Sequence, residues 1–172
     1  MLDAITKEPF EFLNIFLEDE KEVEWFYYDL LGNRSSIYSG TSLLNHIEIE
    51  IVISWCKDNP VLRYRRIAQL ITPYERRENE YFWTPLAIHI LESVEDQIFI
   101  LEEYYDLLWP RSWSGSLAMI MEPRVKLIEE LYIRYSEDIR KWAFEKTSVM
   151  LRRIDENRLW EERRNRTEER FE

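Results

Sequence analysis

Three glycines in 172 residues leave this chain few places to turn sharply. With only six prolines beside them, there are too few turn residues for a sandwich or barrel built from many hairpins. Long stretches without breakers favour helices. The length and the 45% of apolar residues suit one globular domain with a real core. The expectation is therefore an all-α chain forming a single domain over 1–172.

Helix starts can be read from capping residues. Ser136 is followed by Glu137 and Asp138 in a first turn, with Ile139, Ala143 and Met150 on one face. Similar starts occur at Asp58-Asn59-Pro60 and at Ser93-Val94-Glu95-Asp96. Thr84-Pro85 starts a helix over Leu86–Ser93, and its partner runs from about Glu95 to Leu108. Pro9 opens a short helix carrying Phe10, Leu13, Phe16 and Leu17. A second aromatic segment, Val23–Leu31, ends at Gly32-Asn33, and Arg34–Thr41 reads as a loop.

The segment Ser42–Lys57 is expected as one helix. Its alternation Ile47-Glu48-Ile49-Glu50-Ile51 resembles a strand, but the periodic stretch is too long for one. Glu75–Tyr81 reads as a polar connection. Pro123 lies inside the helix expected from Ser116 to about Arg134 and predicts a kink or restart there.

Second-helix starts near 60, 95 and 137 give an interval similar to that of helix-pair solenoids. The expected architecture is stacked antiparallel helix pairs, a HEAT-like α-solenoid with a long C-terminal helix; an irregular α-bundle is the alternative. Within it, 1–41 forms acidic, aromatic N-terminal helices, 42–157 the helix-pair repeats, and 158–172 a polar helical tail.

The net charge of −11 is unevenly spread. Residues 1–60 carry twelve acids against four bases (−8), 61–136 carry twelve against nine (−3), and 137–172 carry ten of each. An acidic front argues against nucleic-acid capture, except through the local cluster Arg63, Arg65, Arg66, Arg76 and Arg77. The acids alternatively suit a basic partner. The start Met1-Leu2-Asp3 is unlike a signal peptide, and no apolar run has membrane-spanning length, so a cytoplasmic location is expected.

No catalytic set emerges. The single cysteine, Cys56, excludes an intramolecular disulfide, and His46 lies about 15 Å from it along one helix at the standard rise. His46 and Glu50 share a face but lack a third metal ligand. No glycine-rich phosphate loop is present. No cofactor, metal or catalytic residue is expected. The stretch Trp109-Pro110-Arg111-Ser112-Trp113 has the composition of an interface hot spot, or of a plug between helix pairs. Trp109, Arg111, Trp113 and Trp160, with Arg63, Arg66, Arg76 and Arg77, are the candidate contact residues.

Asp58-Asn59-Pro60, Trp83-Thr84-Pro85-Leu86-Ala87, Ser112-Trp113-Ser114-Gly115-Ser116, Ile120-Met121-Glu122 and Arg170-Phe171-Glu172 resemble the C-terminal region of large bacterial HEAT-like repeat proteins. The resemblance covers roughly residues 42–172. It implies a tail region of multidomain proteins, some linked to bacterial defence, and supplies no catalytic residue. The repeat spacing, aromatic loops and missing catalytic sets make a non-enzymatic protein-binding module, such as a sensor or scaffold part of a defence protein, the expected function. The alternative function is an acidic inhibitor, an immunity protein or nucleic-acid mimic.

Overall fold

A computed structural model describes residues 2–17, 31, 41–78, 80–110 and 113–168. They are mostly helical, with one two-stranded sheet. The chain separates into two compact units: residues 1–75 with 82–107, and residues 76–81 with 108–172. The expected segment Val23–Leu31 (apart from Leu31) and the loop Arg34–Thr41 (apart from Thr41) lie outside the described residues.

The first unit begins with α1 (Leu2–Lys7) and α2 (Pro9–Phe16). Pro9 occupies the first turn of α2, where a missing N–H costs nothing. Phe12 and Leu13 face inward, and Phe12 stacks on Phe16 with ring centres 4.5 Å apart. Asn14 Oδ1 accepts the indole N–H of the fully buried Trp55 at 2.7 Å. That bond satisfies the polar edge of the ring in the core.

The helix expected over Ser42–Lys57 is divided. A 3₁₀ turn, Leu43–His46, is followed by extended backbone at Ile47 and Glu48, and then by α3 (Ile49–Cys56). The division has a long-range cause. Asn45 donates from Nδ2 to the carbonyl of Thr72 (2.9 Å) and accepts the Thr72 N–H at Oδ1 (2.8 Å), so its side-chain amide acts as a peptide partner. Ser42 N–H also donates to Thr72 Oγ1 at 2.7 Å, while Ser42 Oγ accepts from Leu44 N–H. The three bonds to Thr72 hold the turn against the chain after α4 (Pro60–Leu70), where an unbroken helix would miss them.

Tyr64, Ile67, Ala68 and Leu70 form the inner face of α4. The stretch expected as a polar connection is instead a hairpin, β1 (Tyr74–Arg77) and β2 (Glu80–Trp83). Its base is closed by Thr84 N–H donating to Pro73 O at 2.9 Å, and Glu78 takes a positive φ of 57° in the turn. The aromatic run Tyr81-Phe82-Trp83 suits a strand better than a loop. Thr84 then caps α5 (Pro85–Ser93), accepting the Ala87 N–H as expected. Asp96 accepts the Phe99 N–H at the start of α6 (Gln97–Leu108). Within this unit, Tyr104 of α6 donates to Ala87 O of α5 and lies 5.8 Å from the Trp83 ring.

The second unit is an antiparallel helical pair. α7 (Leu117–Glu129) runs through Pro123 without ending, and the break comes later, at Glu130, before the short α8 (Leu131–Arg134). α9 (Glu137–Glu168) is 32 residues long, about 48 Å at the standard rise. Ile139, Ala143, Met150 and Ile154 are buried along its inner stripe. The direction of pairing is fixed by named contacts: Tyr132 donates to Ala143 O at one end, and Glu161 accepts the Leu117 N–H at the other.

Candidate interaction surface

The start of α7 and the second half of α9 share one end of the helical pair. A helix start leaves four backbone N–H groups without intrahelical acceptors. Here Ser116 Oγ accepts that of Met119 (3.3 Å), and Glu161 Oε1, from α9, accepts that of Leu117 (3.0 Å). The preceding residue, Gly115, has φ +80°, a backbone conformation that disfavours a side chain although the space around it is open. Glu122 of α7 pairs with Arg158 of α9, and Arg124 donates to the Leu108 carbonyl. These contacts tie the start of α7 to α9 and Leu108 to α7.

Aromatic rings and arginines alternate along this end. Arg153 lies over the Trp109 ring at 5.1 Å, and Arg164 over Trp160 at 5.0 Å. Arg153, Asn157, Trp160 and Arg164 follow at spacings of four, three and four, so they lie along one side of α9. Trp113 is 50% exposed, Trp160 57% and Met119 75%. Among the described residues, seven of ten exposed large apolar side chains belong to the second unit: Trp113, Met119, Ile133, Phe144, Leu151, Leu159 and Trp160.

The charge is distributed in the opposite sense. Over the whole sequence, the first unit holds nineteen acids and seven bases, −12; the second holds fifteen and sixteen, +1. The second unit is therefore near neutral overall while exposing rings and arginines, and Trp, Met and Arg are residue types enriched in interfaces.

The sequence candidates fall into different environments. Trp113 and Trp160 are exposed, and Trp109 is half-buried beneath Arg153. Arg111 lies outside the described residues. Arg66 is a correction: it is only 7% exposed and donates to Leu17 O at 3.0 Å, tying α4 to the end of α2. Arg63 is also turned inward, donating to Trp55 O, pairing with Asp58 and covering the Trp55 ring at 4.3 Å. Arg65 pairs with Glu103. The expected surface grouping of Arg63 with Arg66 is therefore replaced by internal ties. Arg76 and Arg77 are exposed on β1, with Arg76 Nε donating to Glu78 O.

Burial pushes the Cys56 thiol up to about 12, against the opposing pull of Arg63. At neutral pH it is a thiol packed in the core. His46 is exposed, and His89 Nδ1 lies 2.8 Å from Pro85 O. Among the described residues, no three His, Cys, Asp or Glu side chains are grouped to hold a metal ion, and no helix is long and apolar enough to cross a membrane.

Sequence reasoning missed Arg153, Met119 and Phe144. One signal was available for Phe144: Trp142-Ala143-Phe144 is a run of three apolar residues, spanning about 200° of a helix, so one must face outward. Nothing local marked Met119 or Arg153. Searches of protein-family models, curated proteins and solved structures find no match to this chain.

Proposed function

We propose that this chain is a non-enzymatic helical module that binds another protein, with the end of the second unit as its contact surface. The observation that carries the reading is the exposure of Trp113, Met119 and Trp160 in the unit that also holds the arginine-covered Trp109. Rings held by cation–π contacts present wide apolar area at low entropic cost, which is what an interface anchor needs. The second helices of successive pairs start at Pro60, Gln97 and Glu137, intervals of 37 and 40 residues. That spacing supports a HEAT-like repeat relationship. A sensor or scaffold role in a bacterial defence protein rests on the sequence resemblance.

The test is affinity capture of partners by the full chain beside a Trp113→Ala/Trp160→Ala variant. Loss of a specific partner from the variant, with melting temperature unchanged, is the expected result. Equal retention by both proteins overturns the assigned surface.

A second reading, an acidic inhibitor, is favoured by one observation: residues 82–107 carry six acids and no base within a unit of charge −12. That reading expects a basic partner whose binding falls steeply with salt and ignores the tryptophan substitutions. A toxin encoded next door, suppressed by this chain, is its decisive observation.

A further inference from the structure

The side of α9 opposite Trp160 bears a different pattern. Trp160 is sixteen residues from Phe144, which places it about 160° round the helix. Around Phe144 the same face carries Glu137, Arg140, Ser148, Leu151, Asp155 and Arg158, all exposed. Phe144 is 65% exposed and Leu151 44%, two helical turns apart. Intervening Ser148 is small, and its hydroxyl is turned back to its own helix, donating to Phe144 O at 2.8 Å.

Read outward from Ser148 in both directions, the face is self-complementary when reversed. Towards the N-terminus come Phe144, Arg140 and Glu137; towards the C-terminus come Leu151, Asp155 and Arg158. Each residue on one side is matched on the other by apolar with apolar or by opposite charge. The open flank repeats the match, with Glu145 on one side and Arg152 on the other.

The geometry points to this face as a docking surface for a second copy of the chain, its α9 laid antiparallel across a two-fold axis near Ser148. In that register Phe144 of each copy meets Leu151 of the other. Arg140 meets Asp155, Glu137 meets Arg158, and Glu145 meets Arg152, each pair occurring twice by symmetry. Antiparallel helices pack at 8–10 Å between axes, close enough for these side chains to meet, and the central serine admits that approach. A shift of the pairing by one turn brings like charges together, so the ion pairs set the register more than they add affinity. Arg158 already serves Asp155 and Glu122 in its own copy, so its contact to Glu137 is a shared one. Only four apolar side chains anchor the interface, and each chain carries −11. A monomer–dimer equilibrium in the micromolar range is expected, short of an obligate dimer. The surface proposed for a partner protein lies on the opposite side of α9, so either assignment stands if the other fails.

Sedimentation velocity of the full chain from about 5 to about 200 μM tests the pairing. The expected result is a concentration-dependent dimer, weakened about tenfold or more by Arg140→Glu. Asp155→Arg weakens it likewise. Placing both substitutions in one chain restores the opposite-charge pairs and returns the dimer constant to within about threefold of the original. Restoration is a result that damage to the fold cannot produce. In a Ser148→Cys chain, mild oxidation links two copies through position 148, while the buried Cys56 stays unreacted. A monomer at every concentration, a double swap no tighter than the single ones, or no cross-link at position 148 overturns the proposal.

Discussion

Asn45 and Thr72 show how one side chain decides a local conformation. The carboxamide replaces a peptide group towards Thr72 and holds the 3₁₀ turn apart from α3. Asn45→Ala removes both of these part-buried bonds, leaving the Thr72 carbonyl its longer contact from Thr84 Oγ1 at 3.4 Å, and chemical denaturation should show a loss of about 2 kcal/mol. Thr147 presents the reverse case. It is 6% exposed with no partner for its Oγ1, and the carbonyl one turn back, Ala143 O, accepts from Tyr132. Thr147→Val keeps the shape and removes the stranded hydroxyl, so a gain of about 1 kcal/mol is expected in the same measurement. Cys56 supplies a pH signature. Burial raises its thiol from 9.0 to about 12 and also raises Tyr64 from 10.0. A raised group confers stability that is complete below its unfolded value and lost as pH climbs through the folded one. Unfolding free energy should therefore fall from about pH 9 towards 12, with a shallower slope in Cys56→Ala. Native protein at pH 8 should resist alkylation at this residue until it is unfolded.

At the scale of elements, helix starts were legible because caps are local chemistry. Pro60, Thr84-Pro85, Ser116 and Ser136 each stand where a helix begins, whatever lies elsewhere in the chain. Elements set by distant partners were not legible. The break before α3 depends on Thr72, twenty-seven residues away, and β1 is polar enough to pass for a loop. The surface was read in part for the same reason. Tryptophan content marked Trp109, Trp113 and Trp160 as candidates, whereas the inward turn of Arg66 depends on a carbonyl forty-nine residues distant. The cap from Glu161 to Leu117 is also non-local, and it yields a prediction. Glu161→Ala removes a charged acceptor from the α7 start and should cost about 1 kcal/mol. It should also raise hydrogen exchange at the Leu117 amide, which nuclear magnetic resonance can follow.

For the whole molecule, the segregation of charge is the dominant electrostatic fact. A unit of −12 repels itself, although Asp58 pairs with Arg63 and Glu103 with Arg65. Screening should relieve that repulsion. Raising sodium chloride from about 10 to about 200 mM is expected to raise the melting temperature by about 2–4 °C, or about 1 kcal/mol. A fall would mean that the ion pairs outweigh the repulsion. The acidic bias was legible from composition, but its confinement to one unit was not, because residues 76–81 and 108–172 group together only in three dimensions.

The Glu161–Leu117 contact carries a mechanical consequence. It closes the end where α7 begins and α9 approaches its last turns, so a pull separating those two points loads the helical seam rung by rung. Glu122 with Arg158 is the next rung, and Tyr132 with Ala143 is near the far end. Tension applied there peels the pair open progressively at low force. The same tension applied along α9 against the opposite end of α7 must shear every rung together, so this pair is compliant in one direction of load and stiff in another.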